Sequence, residues 1–279
     1  MKLRLPVFLC LTLLAAAHAA VQTNIEYGSA GGVSLKLDAF VPEGPGPFPA
    51  VILVHGGGWT AGDKSGGPRK GYMAPMHDPL SAAGFAWFSV NYRLAPQFPH
   101  PAQVEDVETA IRWVKANAAK YRIDPRRIAI SGESAGGQII ALAVVRATEA
   151  TRVAAAVPFY GIFDFAAEAK RRDGQIPSFN KLFGRETQDA TMQKMMHEAS
   201  PINFVKPGLP PFLLVHGTAD QSVAYQQSVD MLARLRAAGV PSELITIKDG
   251  PHGMLPWPPL APDFTDRVVA WLNKTLPAR

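Results

Sequence analysis

RIAISGESAGG, residues 127–137, joins a short apolar run to a glycine-flanked serine and the start of a second apolar segment. The apolar run predicts a buried strand, and residues 135–146 predict a helix. Between them Ser134 stands in the pattern Gly-x-Ser-x-Gly, where Gly132 and Gly136 leave room for a sharp strand-to-helix turn with the hydroxyl exposed. The pentapeptide alone is a weak signal, but this context makes Ser134 a candidate nucleophile.

Strand-like and helix-like segments alternate on both sides of this turn. A β-hairpin is predicted over residues 24–41, followed by strands at 50–54, 85–91, 127–131, 154–160, 211–216 and 243–248. The predicted helices are 72–83, 102–119, 135–146, 221–238 and 264–275. This order indicates an α/β fold, a mostly parallel twisted sheet with helices on both faces. Residues 164–206 interrupt the alternation, and we interpret them as a small lid or cap insertion rather than a second domain.

A glycine-rich loop, HGGGW at residues 55–59, follows the predicted strand 50–54. Glycines let backbone N–H groups point into a pocket without Cβ obstruction, and a serine hydrolase needs such donors for its oxyanion. We assign the donors to Gly57, Gly58 and Ala135, the last being the residue after the candidate nucleophile. His55 is interpreted as holding the turn. A plain flexible loop is the alternative, and a phosphate loop is disfavoured because no Lys-Ser/Thr pair follows the glycines.

Two further residues lie just past predicted strands and complete a candidate triad. His252, in DGPHG at 249–253, is the candidate general base, because flanking glycines let a loop carry the imidazole over the sheet edge. Asp220, in HGTAD at 216–220, would orient that imidazole. The alternative role for Asp220 is the N-cap of the helix predicted from residue 221. The chain order Ser134, Asp220, His252 is the order expected on such a sheet.

The walls of the substrate pocket are predicted from residues beside the triad motifs. Trp59 follows the glycine loop, and the proline-rich segment 250–262 carries three apolar residues that could form a wall: Met254, Leu255 and Trp257. Surface packing of that segment is the alternative. Three further aromatic residues are assigned to the core rather than the pocket: Phe159, Tyr160 and Phe163.

Composition excludes several classes of function for the 279-residue chain. A net charge of +5 is too small to indicate nucleic-acid binding, and a single Cys excludes a disulfide framework and a cysteine-built metal site. The densest basic run, residues 170–172, is interpreted as a solvated face rather than a binding patch. We predict no cofactor and no metal. The sequence does not determine the oligomeric state.

Residues 1–19 have the pattern of a secretory signal peptide. A basic start precedes an apolar stretch too short to span a bilayer, and Ala17-His18-Ala19 fits the rule for cleavage after Ala19. The mature chain would then be residues 20–279, one catalytic domain of 260 residues with no integral membrane span, secreted or periplasmic. An uncleaved anchor or a buried first helix is the alternative.

Five stretches together resemble the α/β-hydrolase superfamily and, within it, the esterases related to hormone-sensitive lipase: HGGGW (55–59), NYRLAP (91–96), GESAGG (132–137), HGTAD (216–220) and GPHG (250–253). The resemblance covers about residues 30–275. It implies an eight-stranded, mostly parallel sheet and carboxylic-ester hydrolysis without a cofactor. Trp59 and Glu133 depart from that family, which usually has Phe or Tyr and Asp at these positions.

The predicted function is therefore that of a secreted serine esterase. It would hydrolyse carboxylic esters, with short acyl chains preferred, through a Ser-His-Asp triad and an acyl-enzyme. HGGGW followed by Gly62-Asp63-Lys64 is similar to bacterial esterases that act on acetyl or feruloyl groups of plant polysaccharides, and the same style of motif occurs in aryl formamidases. The ester could thus be a small molecule or be carried by a polysaccharide. An amidase could use the same triad, and a binding module without catalytic activity could share the same fold.

Overall fold

A computed structural model describes residues 20–66, 71–174, 177–187 and 189–277. The predicted signal peptide, residues 1–19, lies outside this part of the chain. The described residues form one eight-stranded sheet, whose strands in chain order are β1 Gln22–Ala30, β2 Val33–Phe40, β3 Phe48–Val54, β4 Ala86–Val90, β5 Ile123–Glu133, β6 Ala155–Phe159, β7 Phe212–Gly217 and β8 Ser242–Ile247.

The order of the strands across the sheet is β1-β2-β4-β3-β5-β6-β7-β8. The β1–β2 hairpin pairs antiparallel, as does β2 with β4, and β3 to β8 are parallel. The central strand β3 is buried on both sides, because Ile52 and Val54 belong to one apolar cluster while Val51 and Leu53 belong to the cluster on the opposite face. This explains why its sequence is continuously apolar. The predicted mostly parallel sheet is confirmed.

Helices cover both faces of the sheet, and their bounds are α1 His77–Ala82, α2 Ala102–Ala116, α3 Ala135–Val145, α4 Phe165–Arg171, α5 Pro177–Phe183, α6 Ala190–Ala199, α7 Gln226–Ala237 and α8 Phe264–Thr275. Two predicted helices were too long at their beginnings. Within the helix predicted at 72–83, α1 begins only at His77, and a short 3-10 turn, Ala74–Met76, precedes it. The helix predicted from 221 begins at Gln226, because Asp220 holds residues 222 and 223 in a turn. None of the described helices has the length and apolarity needed to cross a membrane.

The predicted insertion, residues 164–206, contains α4, α5 and α6 and packs on the glycine-loop side of the sheet. Phe165 and Phe179 place their rings 5.6 and 6.0 Å from the ring of Trp59. The Gln138 amide joins the two parts, since its Oε1 accepts from the Trp59 indole at 2.9 Å and its Nε2 donates to Ala199 O at 2.9 Å. That this segment acts as a lid stays a prediction.

The turn from β5 to α3 depends on close backbone packing. A Cβ on Gly136 would lie 2.2 Å from the carbonyl oxygen of Val54, and one on Gly132 would lie 2.7 Å from the Gly136 oxygen. Real Cβ atoms do not approach so closely, so any side chain would separate α3 from the end of β3. Between these glycines Ser134 has φ +54°, a left-handed conformation that non-glycine residues rarely adopt.

Gly136→Ala is expected to lower the free energy of unfolding by at least about 2 kcal/mol, because the new methyl group meets backbone that has no flexible end to move aside. Urea denaturation measures the change. Gly71→Ala is the matched control, since its Cβ would have only ordinary contact with Leu255 at 3.5 Å. Equal stability losses in the two variants would contradict the close-packing explanation.

Candidate active site

Ser134 lies between the carboxyl end of β5 and the first residue of α3. Its own N–H donates to Phe159 O at 3.0 Å, and its carbonyl accepts from Gln138 N at 3.1 Å. These bonds fix the turn to β6 on one side and to the helix on the other. The hydroxyl is therefore held above the sheet edge, where the sequence predicts it.

The structure brings the three predicted triad residues together. His252 Nε2 lies 2.9 Å from Ser134 Oγ, and His252 Nδ1 lies 2.7 Å from Asp220 Oδ2. In this arrangement the serine hydroxyl donates to the imidazole, whose second nitrogen donates to the carboxylate. An imidazole held in this tautomer can accept the serine proton.

Asp220 orients the imidazole and also holds the chain around it. Its Oδ1 accepts the N–H groups of Ser222 and Val223 at 2.8 and 2.9 Å. The helix that follows has Tyr225 at its N-cap, so Asp220 stabilises a turn before α7 rather than the helix itself. Asp220 is therefore not the N-cap of α7; its Oδ1 holds this turn, and its Oδ2 faces His252.

A second imidazole, which the sequence did not connect with the triad, contacts the same carboxylate. His216, at the end of β7, is fully buried, with Nε2 3.2 Å from Asp220 Oδ2 and 3.1 Å from Val223 O. Because Nε2 faces two oxygen acceptors, it carries the hydrogen. His216 Nδ1 then accepts from the Ser228 hydroxyl at 2.8 Å. The only signal in the sequence was its spacing of four residues from Asp220 in HGTAD.

These donors decide the ionisation of Asp220. Burial alone would raise its pKa, but the hydrogen bonds from His216 and His252 and from the Val223 N–H outweigh burial and hold the pKa well below its usual range. The carboxyl is therefore a carboxylate across the neutral pH range. A fixed negative charge beside His252 stabilises the imidazolium that proton transfer would create.

The predicted oxyanion donors line the cavity beside Ser134. Gly57 and Gly58 have φ values of +99° and +59°, and in the described part of the chain neither N–H bonds to a protein oxygen. A Cβ on Gly58 would meet no atom within 4 Å, so its backbone borders open space. The N–H of Ala135 lies at the start of α3, where a helix leaves its first amides unpaired. That these groups stabilise an oxyanion stays a prediction.

The start of this loop is held by Glu133, which in the sequence stands out only as a departure from a family pattern. Its Oε1 accepts the Gly56 N–H at 2.6 Å, and the Tyr160 hydroxyl bonds to the same carboxyl group. Burial raises the pKa of Glu133 to about 6, although His252 and the two hydrogen-bond donors act to lower it. Tyr160 also packs edge-on against His252, with ring centroids 4.8 Å apart.

His55 holds the glycine turn, as predicted from its position. Its Nδ1 lies 2.8 Å from Gly56 O, and its ring stacks on Tyr92 at 4.3 Å. Burial lowers the pKa of His55 to about 4, so the ring is neutral at ordinary pH. Tyr92 bonds through its hydroxyl to the carbonyls of His55 and Gly56 at 3.0 and 3.1 Å. His55 therefore packs the loop and does not face Ser134.

A cavity of about 540 Å³ opens beside the triad. Three of the four predicted pocket residues line it, namely Trp59, Met254 and Leu255. The fourth prediction, Trp257, is wrong. That indole is fully buried behind the cavity, with its N–H bonded to Pro251 O at 2.8 Å and its ring against Tyr160 and Phe264. Tyr160, assigned to the core alone, is buried and also lines the cavity.

The basic run at 170–172 is not simply a solvated face. Arg172 lines the same cavity, together with Ser178 and Ser222. Arg171 and Arg172 both bind the fully buried carboxylate of Glu168, at 2.5 and 2.8 Å. Within the described ranges, no three His, Cys, Asp or Glu side chains are grouped so that they could hold a metal ion.

Glu133→Gln is expected to become more stable relative to the wild type as the pH rises. Because the folded-state pKa of Glu133 is raised from 4.5 to about 6, its contribution to stability is fully present below pH 4.5 and is lost as the pH rises through about 6. Since glutamine does not titrate, the stability difference should shift in its favour by about 2 kcal/mol between about pH 4 and about pH 7.5.

Chemical denaturation at the two pH values measures this shift. Glu26→Gln, at an exposed position on β1, controls for the exchange of glutamate for glutamine. A difference between Glu133→Gln and the wild type that is the same at both pH values would show that burial does not govern this carboxyl.

Comparison with known proteins agrees with this geometry. Residues 37–235 match the BD-FAE family model. Two relatives from Mycobacterium tuberculosis are the probable carboxylic ester hydrolase LipM, 33% identical over 68% of this chain and 46% of that protein, and the carboxylesterase NlhH, 31% identical over 83% and 75%. The chain spans about half the length of the first three curated relatives it matches.

Among solved structures, a truncated carbohydrate esterase from gut microbiota superposes with a TM-score of 0.80 and 27% identity, covering 94% of this chain and 98% of that one. The family match covers more than half of the chain and includes the glycine loop, the serine turn and Asp220. The chain therefore belongs to the BD-FAE family and has the α/β-hydrolase fold.

Proposed function

We propose that this protein hydrolyses carboxylic esters by a serine mechanism. The observation that carries the proposal is the unbroken line of contacts from Ser134 Oγ to His252, at 2.9 Å, and from His252 to Asp220, at 2.7 Å. Similarity to esterases over most of the chain supports the same activity.

In the first half of the reaction His252 Nε2 takes the Ser134 proton as Oγ attacks the ester carbonyl carbon. The carbonyl oxygen becomes an oxyanion, to which the N–H groups of Gly57, Gly58 and Ala135 donate. When this intermediate collapses, the bond to the alcohol oxygen breaks and His252 gives that oxygen its proton. The alcohol leaves, and the acyl group remains on Ser134.

In the second half water takes the place of the alcohol. His252 removes a proton from the water, the hydroxide attacks the acyl carbon, and the second intermediate expels Ser134 Oγ, which recovers its proton from His252. The carboxylate of Asp220 stabilises each imidazolium. The products are a carboxylic acid and an alcohol, and no cofactor takes part in these steps.

Carbohydrate-borne esters are a second candidate for the substrate. The structural similarity to a carbohydrate esterase favours them. Short acyl groups on a sugar polymer would be a substrate of this kind.

We also propose that the signal peptide at residues 1–19 exports the protein. N-terminal sequencing of the protein released by a producing cell tests the export, with Ala20 expected as the first residue.

Ser134→Ala is expected to lower kcat/KM on 4-nitrophenyl acetate by at least about a thousandfold, because the hydroxyl that forms the acyl-enzyme is removed. Circular dichroism checks the fold, and Ser34→Ala, on the β1–β2 hairpin, is the matched control. A fluorophosphonate should label the wild type and the control but not Ser134→Ala. If Ser134→Ala keeps a tenth of the activity, the assignment of Ser134 is wrong.

An ester panel separates the candidate substrates. Acetate, butyrate and longer 4-nitrophenyl esters, an acetylated xylan, a feruloyl ester and a 4-nitroanilide are compared by kcat/KM. We expect short esters to be preferred over long ones, and esters over the anilide. A preference for the anilide would support an amidase, and the absence of all turnover and labelling would support a binding module.

A further inference from the structure

The cavity beside Ser134 has two chemically different groups of lining residues. Seven have apolar side chains: Trp59, Ala135, Ile162, Val223, Met254, Leu255 and Pro256. A polar group consists of Arg172, Ser178 and Ser222. Of the lining residues in the described part of the chain, Arg172 is the only Lys or Arg. A permanent cation at the wall of a substrate cavity is a feature that hydrolysis of a neutral ester does not require.

The charge of Arg172 is not cancelled by its neighbours. Arg171 and Arg172 share the single carboxylate of Glu168, which is fully buried between them. Two guanidinium groups and one carboxylate leave one net positive charge in this cluster, and the next carboxylate, Asp220, acts on Arg171 and is bonded to His216 and His252. The acidic residue that also lines the cavity, Glu133, is occupied by Gly56 and Tyr160. An anionic group of a ligand can therefore be stabilised beside Arg172.

The guanidinium of Arg172 is held in position while part of it stays available. Nε donates to Glu168 Oε1, and Nη2 donates to Ser222 O. A guanidinium has five N–H donors, and within residues 20–66, 71–174, 177–187 and 189–277 no protein oxygen bonds to Nη1. The side chain is 28% exposed, so an anion that binds there is partly shielded from water.

We propose that Arg172 binds a carboxylate carried by the ester substrate, so that the protein prefers anionic esters. This inference rests on the proposed esterase function and names its substrate class. A positioned guanidinium binds carboxylate through charge-assisted hydrogen bonds, and the Ser178 and Ser222 hydroxyls beside it can donate to the same oxygens. The carboxylate can lie on the acyl part, as in a half-ester of a dicarboxylic acid, or on the alcohol part, as in an acylated acidic sugar.

Matched substrate pairs distinguish these two sources. 4-Acetoxybenzoate and its methyl ester differ in a charge on the alcohol side, while monoethyl succinate and ethyl butyrate differ in a charge on the acyl side. For each pair the ratio of kcat/KM, charged over neutral, is measured in the wild type, Arg172→Gln, Arg172→Lys and Arg171→Gln. Arg171→Gln is the control, because Arg171 binds the same Glu168 but does not line the cavity.

In one of the two pairs the ratio should fall by about tenfold or more in Arg172→Gln. It should fall less in Arg172→Lys, which keeps the charge but loses the planar fork. It should also fall less in Arg171→Gln than in Arg172→Gln, because Arg171→Gln removes the same charge from the cluster but leaves the guanidinium of Arg172 at the cavity wall. Added salt should lower the wild-type ratio. A ratio that changes by less than about twofold in Arg172→Gln for both pairs, or that falls equally in Arg171→Gln, overturns the proposal.

A binding measurement separates this proposal from the esterase proposal. In the Ser134→Ala background, calorimetry compares the binding of two probes, 4-hydroxybenzoate for the alcohol side and monoethyl succinate for the acyl side, with Arg172 present and with Arg172→Gln added. Weakening of either probe by about tenfold supports the carboxylate site even if no ester is turned over. Equal binding of both probes in the two proteins refutes the site even if esters are hydrolysed.

Discussion

The contact on which the active site depends is between two stretches of backbone, Gly136 at the start of α3 and the carbonyl of Val54 at the end of β3. Only a residue without a Cβ allows α3 to come this close. Ser134 immediately precedes α3, and the glycine loop immediately follows Val54. One short contact therefore sets the distance between the proposed nucleophile and the N–H groups proposed to receive the oxyanion. Since backbone cannot adjust as a side chain can, this distance is preorganised.

Three buried carboxylates have different hydrogen-bond donors around them. Asp220 has enough donors to remain charged, and its charge faces His252. Glu133 has fewer donors than its burial requires, so it holds a proton more readily while it fixes Gly56. Glu168 binds two arginines, and because one carboxylate neutralises only one of them, positive charge remains at the cavity wall. The pKa values of the buried Asp220 and Glu133 thus move in opposite directions, because the number and charge of their hydrogen-bond donors differ.

The sequence predicted the sheet, the triad and the glycine loop because each motif follows a strand, and parallel strands end at the same edge. Side-chain direction was harder to predict. Trp257 lies only five residues from His252, yet its indole points behind the cavity, because its N–H bonds to Pro251 O. Arg172 stands in a basic run of the kind usual on solvated helices. Its place at the cavity follows from how α4 packs, which periodicity does not encode. The contact of His216 with Asp220 depends on the turn between β7 and α7, which the helix pattern also misplaced.

The three helices α4, α5 and α6 are inserted between β6 and β7, which are neighbours in the sheet. The ends of the insertion therefore lie close together, and a segment of different length could join the same strands without changing their register. The triad belongs to the sheet edge, whereas Arg172 and Ser178 belong to the insertion. Under the proposed function, exchange of this segment between related proteins would change substrate preference and leave the reaction chemistry in place, provided that the new segment covers Trp59 and bonds to Gln138.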